Sequence, residues 1–208
     1  MTARLPHAKS CIALIGARGC GKSAVGRELA MLWDCAFLDT DELVVERTGR
    51  SIAAIFADEG EAAFREYEVK AIAEALGVHP GIPSPHPLRQ RGRGVSERTL
   101  KVRPAVIAVG GGAVMAESNV ELLQSAAVLV WLTAPAEVLW QRIFADPATP
   151  DSRPALTDVG GLAEVREILQ DRTPRYAAAA DLVVDTAGKP VNNIAREIAA
   201  ALRRPPGP

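Results

Sequence analysis

The eight residues Gly16-Ala17-Arg18-Gly19-Cys20-Gly21-Lys22-Ser23 constrain what this chain can fold into more than any other feature. They fit the pattern G-x-x-x-x-G-K-[ST]. A short apolar run, Cys11 to Ile15, precedes them, and a stretch with helical spacing, Lys22 to Trp33, follows, with Val25, Leu29 and Leu32 expected on one face. A strand that turns through glycines into a helix aims backbone N–H groups and the positive helix end at one point, which suits phosphate. Lys22 adds a mobile charge for the β- and γ-phosphates, and Ser23 offers a hydroxyl to Mg2+. The pattern predicts an α/β chain with a buried central strand.

The rest of the chain keeps that rhythm. Apolar runs at Ala36–Leu38, Ala105–Val109, Ala127–Leu132 and Leu182–Val184 read as four more strands of a parallel sheet. Ser51 is placed to cap a short helix holding Ile52, Ile55 and Phe56, and a longer helix after Gly60 carries Phe64, Tyr67, Ala71 and Leu76. Ser118-Asn119-Val120-Glu121 has capping-box spacing. Pro135 and Pro190 sit where helices open. Two segments break the rhythm, Gly77 to Pro104 and Ala145 to Gly161. The expectation is a single domain over residues 1–208, with an ordered core over about 9–204. It carries a loop insertion at 77–104, a polar segment at 145–161 and a disordered tail at 205–208.

Composition removes several classes of function. The net charge is -1, so no global field draws the chain to nucleic acid or an anionic membrane. The basic stretch from Arg89 to Arg103 lacks the aromatics that stack on bases and reads as a solvated loop. No apolar run reaches the roughly 18 residues of a membrane span, and Met1 to Ser10 lacks a signal peptide's apolar stretch. Cys11, Cys20 and Cys35 form no CxxC pair, so the expected compartment is the reducing cytoplasm.

The phosphate motif is shared by GTPases, motor ATPases and small-molecule kinases. No N-K-x-D-like run is present to read guanine, and the third strand ends in Val109-Gly110 with no acid. The available carboxylates are Asp39 and Asp41, just beyond the second strand. They can divide between hydrated Mg2+ and an acceptor hydroxyl, or merely cap a helix.

Five ordered motifs then resemble the shikimate kinase family. They are Phe37-Leu38-Asp39-Thr40-Asp41 with its continuation through Glu46–Ile52, Gly60-Glu61 and Phe64-Arg65; Val109-Gly110-Gly111-Gly112; Arg153-Pro154; Arg172-Thr173-Pro174-Arg175-Tyr176; and Val184-Asp185-Thr186 followed by Pro190. The resemblance implies a three-layer α/β fold of the P-loop kinase type, with a five-stranded parallel sheet in the order 2-3-1-4-5. It implies Mg2+-dependent transfer from ATP to the 3-hydroxyl of shikimate. Gly16, Arg18, Gly19, Cys20, Gly21, Lys22, Ser23 and Ala24 would hold ATP, with Arg142 and Pro190 flanking adenine. Ser23 and Asp39 would serve Mg2+, and Asp41 would bind the acceptor hydroxyls and take the proton. Arg65 and Arg172 would clamp the shikimate carboxylate, while Gly110, Gly111 and Gly112 line the acceptor pocket. Arg153 would swing in with a mobile lid at 145–161 onto the transferring phosphate, contacting ATP and acting with Lys22 and Asp41 in catalysis. The expected partners are ATP, ADP and shikimate, with no nucleic acid, no membrane and a monomeric state. A gluconate- or nucleotide-kinase-like enzyme, or a non-catalytic relative that keeps the fold, are the alternatives.

Overall fold

The computed structural model describes residue 9 and residues 11–77, 105–146 and 161–203. Most of the expected lid and insertion, Arg153, and the tail at 205–208 lie outside the described residues. Five strands form one parallel sheet: β1 (Cys11–Ile15), β2 (Ala36–Asp39), β3 (Ala105–Ala108), β4 (Ala127–Thr133) and β5 (Leu182–Asp185). Their spatial order is β2-β3-β1-β4-β5. Cys11 stands opposite Ala105 on one side and Ala127 on the other, so β1 is the central strand.

The apolar continuity of β1 follows from burial on both faces. Cys11, Ala13 and Ile15 enter one core and Ile12 and Leu14 the other. The first core is built with α2 (Thr40–Thr48), α3 (Ile52–Leu76), α4 (Glu117–Ala126) and the end of α6 (Gly161–Ala179). The second is built with α1 (Lys22–Trp33), α5 (Ala136–Ala145) and α7 (Val191–Arg203). Ile55, Leu129 and Ile198 are wholly buried, each worth about 1.5–3 kcal/mol of transfer free energy.

Local signals explain most boundaries. Ser51 accepts a hydrogen bond from Ala54 N and starts α3. Gly60 breaks that helix at φ 82° and ψ 177°, with no neighbour within 4 Å of where a Cβ would stand. Its backbone angles, and not lack of space, demand glycine there.

Two expectations fail. Leu32 is 40% exposed, whereas Trp33 is buried. At about 100° per residue, the buried residues Val25, Gly26, Leu29, Ala30 and Trp33 centre a stripe roughly 90° from Leu32. Gly26 sets that stripe, because a Cβ there would stand 2.4 Å from the Phe37 ring. Ser118 does not cap α4. The helix begins at Glu117 after Ala116, fed directly by a tight 3-10 turn over Ala113–Met115. Asn119 turns inward, its Nδ2 donating to Ala113 O at 3.1 Å.

Candidate active site

The carboxyl ends of β1, β2 and β3 place three loops side by side. The first is the glycine loop between β1 and α1. Gly16 is locked in position: a Cβ would lie 2.3 Å from Leu132 O. Lys22 Nζ donates to Gly16 O at 2.8 Å and Ala17 O at 3.1 Å, so the cation is held over the loop. Cys20 is buried, with Sγ 3.8 Å from Nζ. Gly21 precedes α1 with left-handed angles, and the helix start has no side-chain cap and no acid in its first turn. By contrast Asp39 caps α2 and Ser51 caps α3. The N–H groups that a side chain would have satisfied in α1 remain available to an anion. Arg18 and Gly19 are half-buried on the loop, and Ala24 is exposed in the first turn.

The second loop joins β2 to α2. Asp39 is 9% exposed. Its Oδ2 accepts from Ser23 Oγ at 2.6 Å and its Oδ1 from Asp41 N at 3.0 Å. Asp39 thus caps the helix and also meets the serine of the phosphate loop. Asp41 sits half-buried in the first turn of α2. Hard oxygens from Ser23 and Asp39 at one point suit Mg2+, which is bound through one or two protein oxygens with phosphates and water supplying the rest. Among the described residues no group of three His, Cys, Asp or Glu forms an all-protein metal cage.

The third loop is Gly110-Gly111-Gly112, buried throughout. Gly110 N donates to Thr40 Oγ1 at 3.0 Å, and Gly111 O accepts from Tyr176 Oη at 2.5 Å. A Cβ on Gly112 would stand 2.7–2.8 Å from the Arg65 guanidinium nitrogens, so a side chain there would push the guanidinium aside. Arg65 reaches the strip from α3. It pairs with exposed Glu61 at 2.7 Å and with Glu68, 1% exposed, at 2.9 Å. Burial works against its charge, but Glu68 and Glu61 outweigh burial and raise its pKa. The two ion pairs and the approach to Gly112 thus belong to one residue. Arg172 is half-buried on α6, one turn before Tyr176, with no ion pair among the described residues.

At the far side of the glycine loop, Arg142 on α5 donates to Thr186 Oγ1 at 3.0 Å and Thr186 O at 2.7 Å, and approaches Gly19 O at 3.4 Å. Thr186 follows β5, and Pro190 stands immediately before α7, its carbonyl accepting from Asn193 N and Ile194 N. The structure thus ties Arg142 to the β5 end and to the glycine loop. Thr40, Glu68, Tyr176 and Thr186 support the site without a motif role of their own. Thr40 was signalled by lying between two aspartates, and Tyr176 by its place four residues after Arg172.

A parallel sheet in this order, with a lysine-bearing phosphate cradle after its central strand, defines a nucleotide-binding protein of the P-loop class. The family model described as shikimate kinase matches residues 18–83 and 88–203. A shikimate kinase of Moorella thermoacetica is 40% identical over 192 residues, covering 92% of this chain and 94% of its own. One of Rhodopirellula baltica is 35% identical, covering 90% of this chain and 88% of its own. A solved shikimate kinase of Acinetobacter baumannii in complex with shikimate superposes with a TM-score of 0.76 at 29% identity, over 94% of this chain and 93% of its own. The chain belongs to the shikimate kinase family.

Proposed function

We propose that the chain transfers the γ-phosphate of ATP to the 3-hydroxyl of shikimate, releasing shikimate 3-phosphate and ADP. The observation that carries this reading is Arg65 lying against Gly112, on a glycine strip that also borders the phosphate loop. A Cβ on Gly111 would be 3.5 Å from Gly16 O and 3.6 Å from Arg18 N. Donor and acceptor binding elements therefore share one wall.

In this mechanism the glycine loop, from Gly16 to Ala24, cradles the phosphates, and Lys22 stabilises charge on the transferring group. Phosphoryl transfer needs little covalent help, so positioning and charge stabilisation supply most of the rate. Ser23 and Asp39 would hold Mg2+, which when bound neutralises phosphate charge. Asp41 accepts the hydroxyl proton as the oxygen bonds phosphorus and the bond to the ADP oxygen breaks. Arg65 and Arg172 bind the acceptor carboxylate, Arg65 with a planar fork suited to two parallel hydrogen bonds. Gly110 to Gly112 let the chain pass close to the acceptor ring. Arg142 and Pro190 flank adenine. Arg153 lies outside the described residues and is assigned to the transferring phosphate by the family motif alone. We assign the working unit as a monomer in the cytoplasm, where the three free cysteines stay reduced. Among the described residues no helix is long and apolar enough to cross a membrane.

The test is ADP release in a coupled assay with Mg-ATP, run with shikimate, with gluconate, with a nucleoside monophosphate and with no acceptor. Release that depends on shikimate, with shikimate 3-phosphate as product, is the expected result. Equal release with gluconate or the nucleotide would transfer the chain to another acceptor class, and no acceptor-dependent release would make it a binding relative.

A further inference from the structure

In the glycine strip that separates donor from acceptor, backbone bonds tie Gly110 O to Ala113 N and Gly112 O to Met115 N, each at 3.0 Å, while Gly110 N and Gly111 O are met by side chains. The strip has no side chains, and the β3 ladder ends at Ala108, before the strip begins. Two wholly buried hydroxyl residues grip it from opposite directions. Thr40, between the two aspartates, accepts from Gly110 N at 3.0 Å. Tyr176, on α6, donates to Gly111 O at 2.5 Å. The Tyr176 ring lies stacked on Trp131 of β4 with centroids 5.7 Å apart and planes 23° apart, so its hydroxyl is aimed by a rigid support. Each hydroxyl also carries a functional neighbour. Thr40 is flanked in sequence by Asp39 and Asp41. Tyr176 stands one helical turn from Arg172.

We propose that Thr40 and Tyr176 are positioning residues for phosphoryl transfer. They fix the glycine strip, and through it the spacing between the Asp39–Asp41 loop, Arg65 and Arg172. Neither touches substrate. Thr40 sets the strip against the carboxylates, and Tyr176 sets it against the helix that carries Arg172. Both act across main-chain atoms, so no substitution within the strip can replace them. The inference rests on the strip being the acceptor wall, as proposed above.

Tyr176→Phe keeps the ring on Trp131 and removes only the hydroxyl, which leaves Gly111 O buried without its donor. Thr40→Val does the same to Gly110 N, and Thr40→Ser restores an acceptor in nearly the same place. The expected result is a fall of about 5- to 100-fold in kcat/KM for shikimate in Tyr176→Phe and Thr40→Val, the size expected for a lost buried hydrogen bond. The KM for ATP should stay within about threefold, and Thr40→Ser should recover most of the loss. Assays are run well below each variant's Tm. A merely structural role would lower Tm and leave shikimate kinetics unchanged, and that outcome overturns the proposal. Gly112→Ala separates this from failure of the underlying reading, because its Cβ would displace Arg65. If Gly112→Ala damages shikimate use but Tyr176→Phe and Thr40→Val do not, the positioning proposal fails alone. If Gly112→Ala is also silent, the strip is not the acceptor wall and both fail.

Discussion

The proposed donor side and the proposed acceptor side of this site are held together by different forces. The donor loop is held by backbone and close packing: Gly16 lies against Leu132 O, and Lys22 is tethered by the carbonyls of the loop it serves. The acceptor side is held by side chains reaching across from separate elements, with Arg65 suspended between exposed Glu61 and buried Glu68. The first arrangement is intolerant of added volume. The second tolerates volume at its rim but depends on hydrogen-bond geometry. A phosphate, with many equivalent oxygens, can be met by main-chain N–H groups from a rigid loop. A planar carboxylate on a small ring is better met by a guanidinium fork whose direction is set by its own partners.

The comparison is broken most severely by Gly16→Ala. Its Cβ would stand 2.3 Å from a backbone oxygen, at a residue whose φ is 137°. Nucleotide affinity should fall at least ~100-fold, and overpacking of about 1–3 kcal/mol should lower Tm by several degrees. A nucleotide titration and a thermal scan check both, and wild-type affinity would show that the loop is not rigid. Lys22→Ala comes next. Removal of the ammonium tethered over the loop should cost at least ~100-fold in kcat while the protein stays folded. Turnover within tenfold of wild type would remove the loop from the donor role.

Glu61→Ala sharpens the other half of the comparison. Its pair with Arg65 is i,i+4 and its side chain is 65% exposed, so the loss should be under ~1 kcal/mol of stability. Shikimate kcat/KM should change less than about threefold, because buried Glu68 still holds the guanidinium. A larger loss would mean that the exposed partner also sets the fork's direction.

A separate effect is on alkaline stability. Burial, with smaller contributions from Cys11 and Asp34, pushes the Cys35 thiol from 9.0 up to about 11. The folded state therefore holds this proton more tightly than the unfolded chain. The contribution is complete below pH 9 and is lost as pH rises toward 11. Between pH 9 and 11 the Tm of Cys35→Ala should fall less steeply than that of wild type. Parallel curves would show that the thiol does not contribute.

Much of the fold was legible because its signals are local. Five apolar runs, the glycine loop, the cap at Ser51 and the helix break at Gly60 need only neighbours in sequence to be read. The sheet order and the acceptor half were legible only through the family resemblance, since Arg65 beside Glu61 and Glu68 looks like any solvated helix face. What stayed hidden depends on distant backbone. Thr40 and Tyr176 act on carbonyl and amide groups of Gly110 and Gly111 that carry no side-chain signature. Leu32 and Ser118 misled for a related reason: Gly26 draws the Phe37 ring to one side of α1, and the turn after the glycine strip starts α4 early. Arg153 and most of the 145–161 lid lie outside the described residues, so that part of the site stays with the motif.

The central claim is that the acceptor half reads a carboxylate through the fixed geometry of Arg65. Arg65→Lys tests it most directly, because lysine keeps the charge and loses the fork. Steady-state kinetics in shikimate at saturating Mg-ATP, beside a nucleotide titration, should show kcat/KM for shikimate falling about 10- to 150-fold. Nucleotide affinity should barely move. A folded Arg65→Lys enzyme with unchanged shikimate kinetics would contradict the claim and leave Arg65 as the surface ion pair its helix neighbours already suggest.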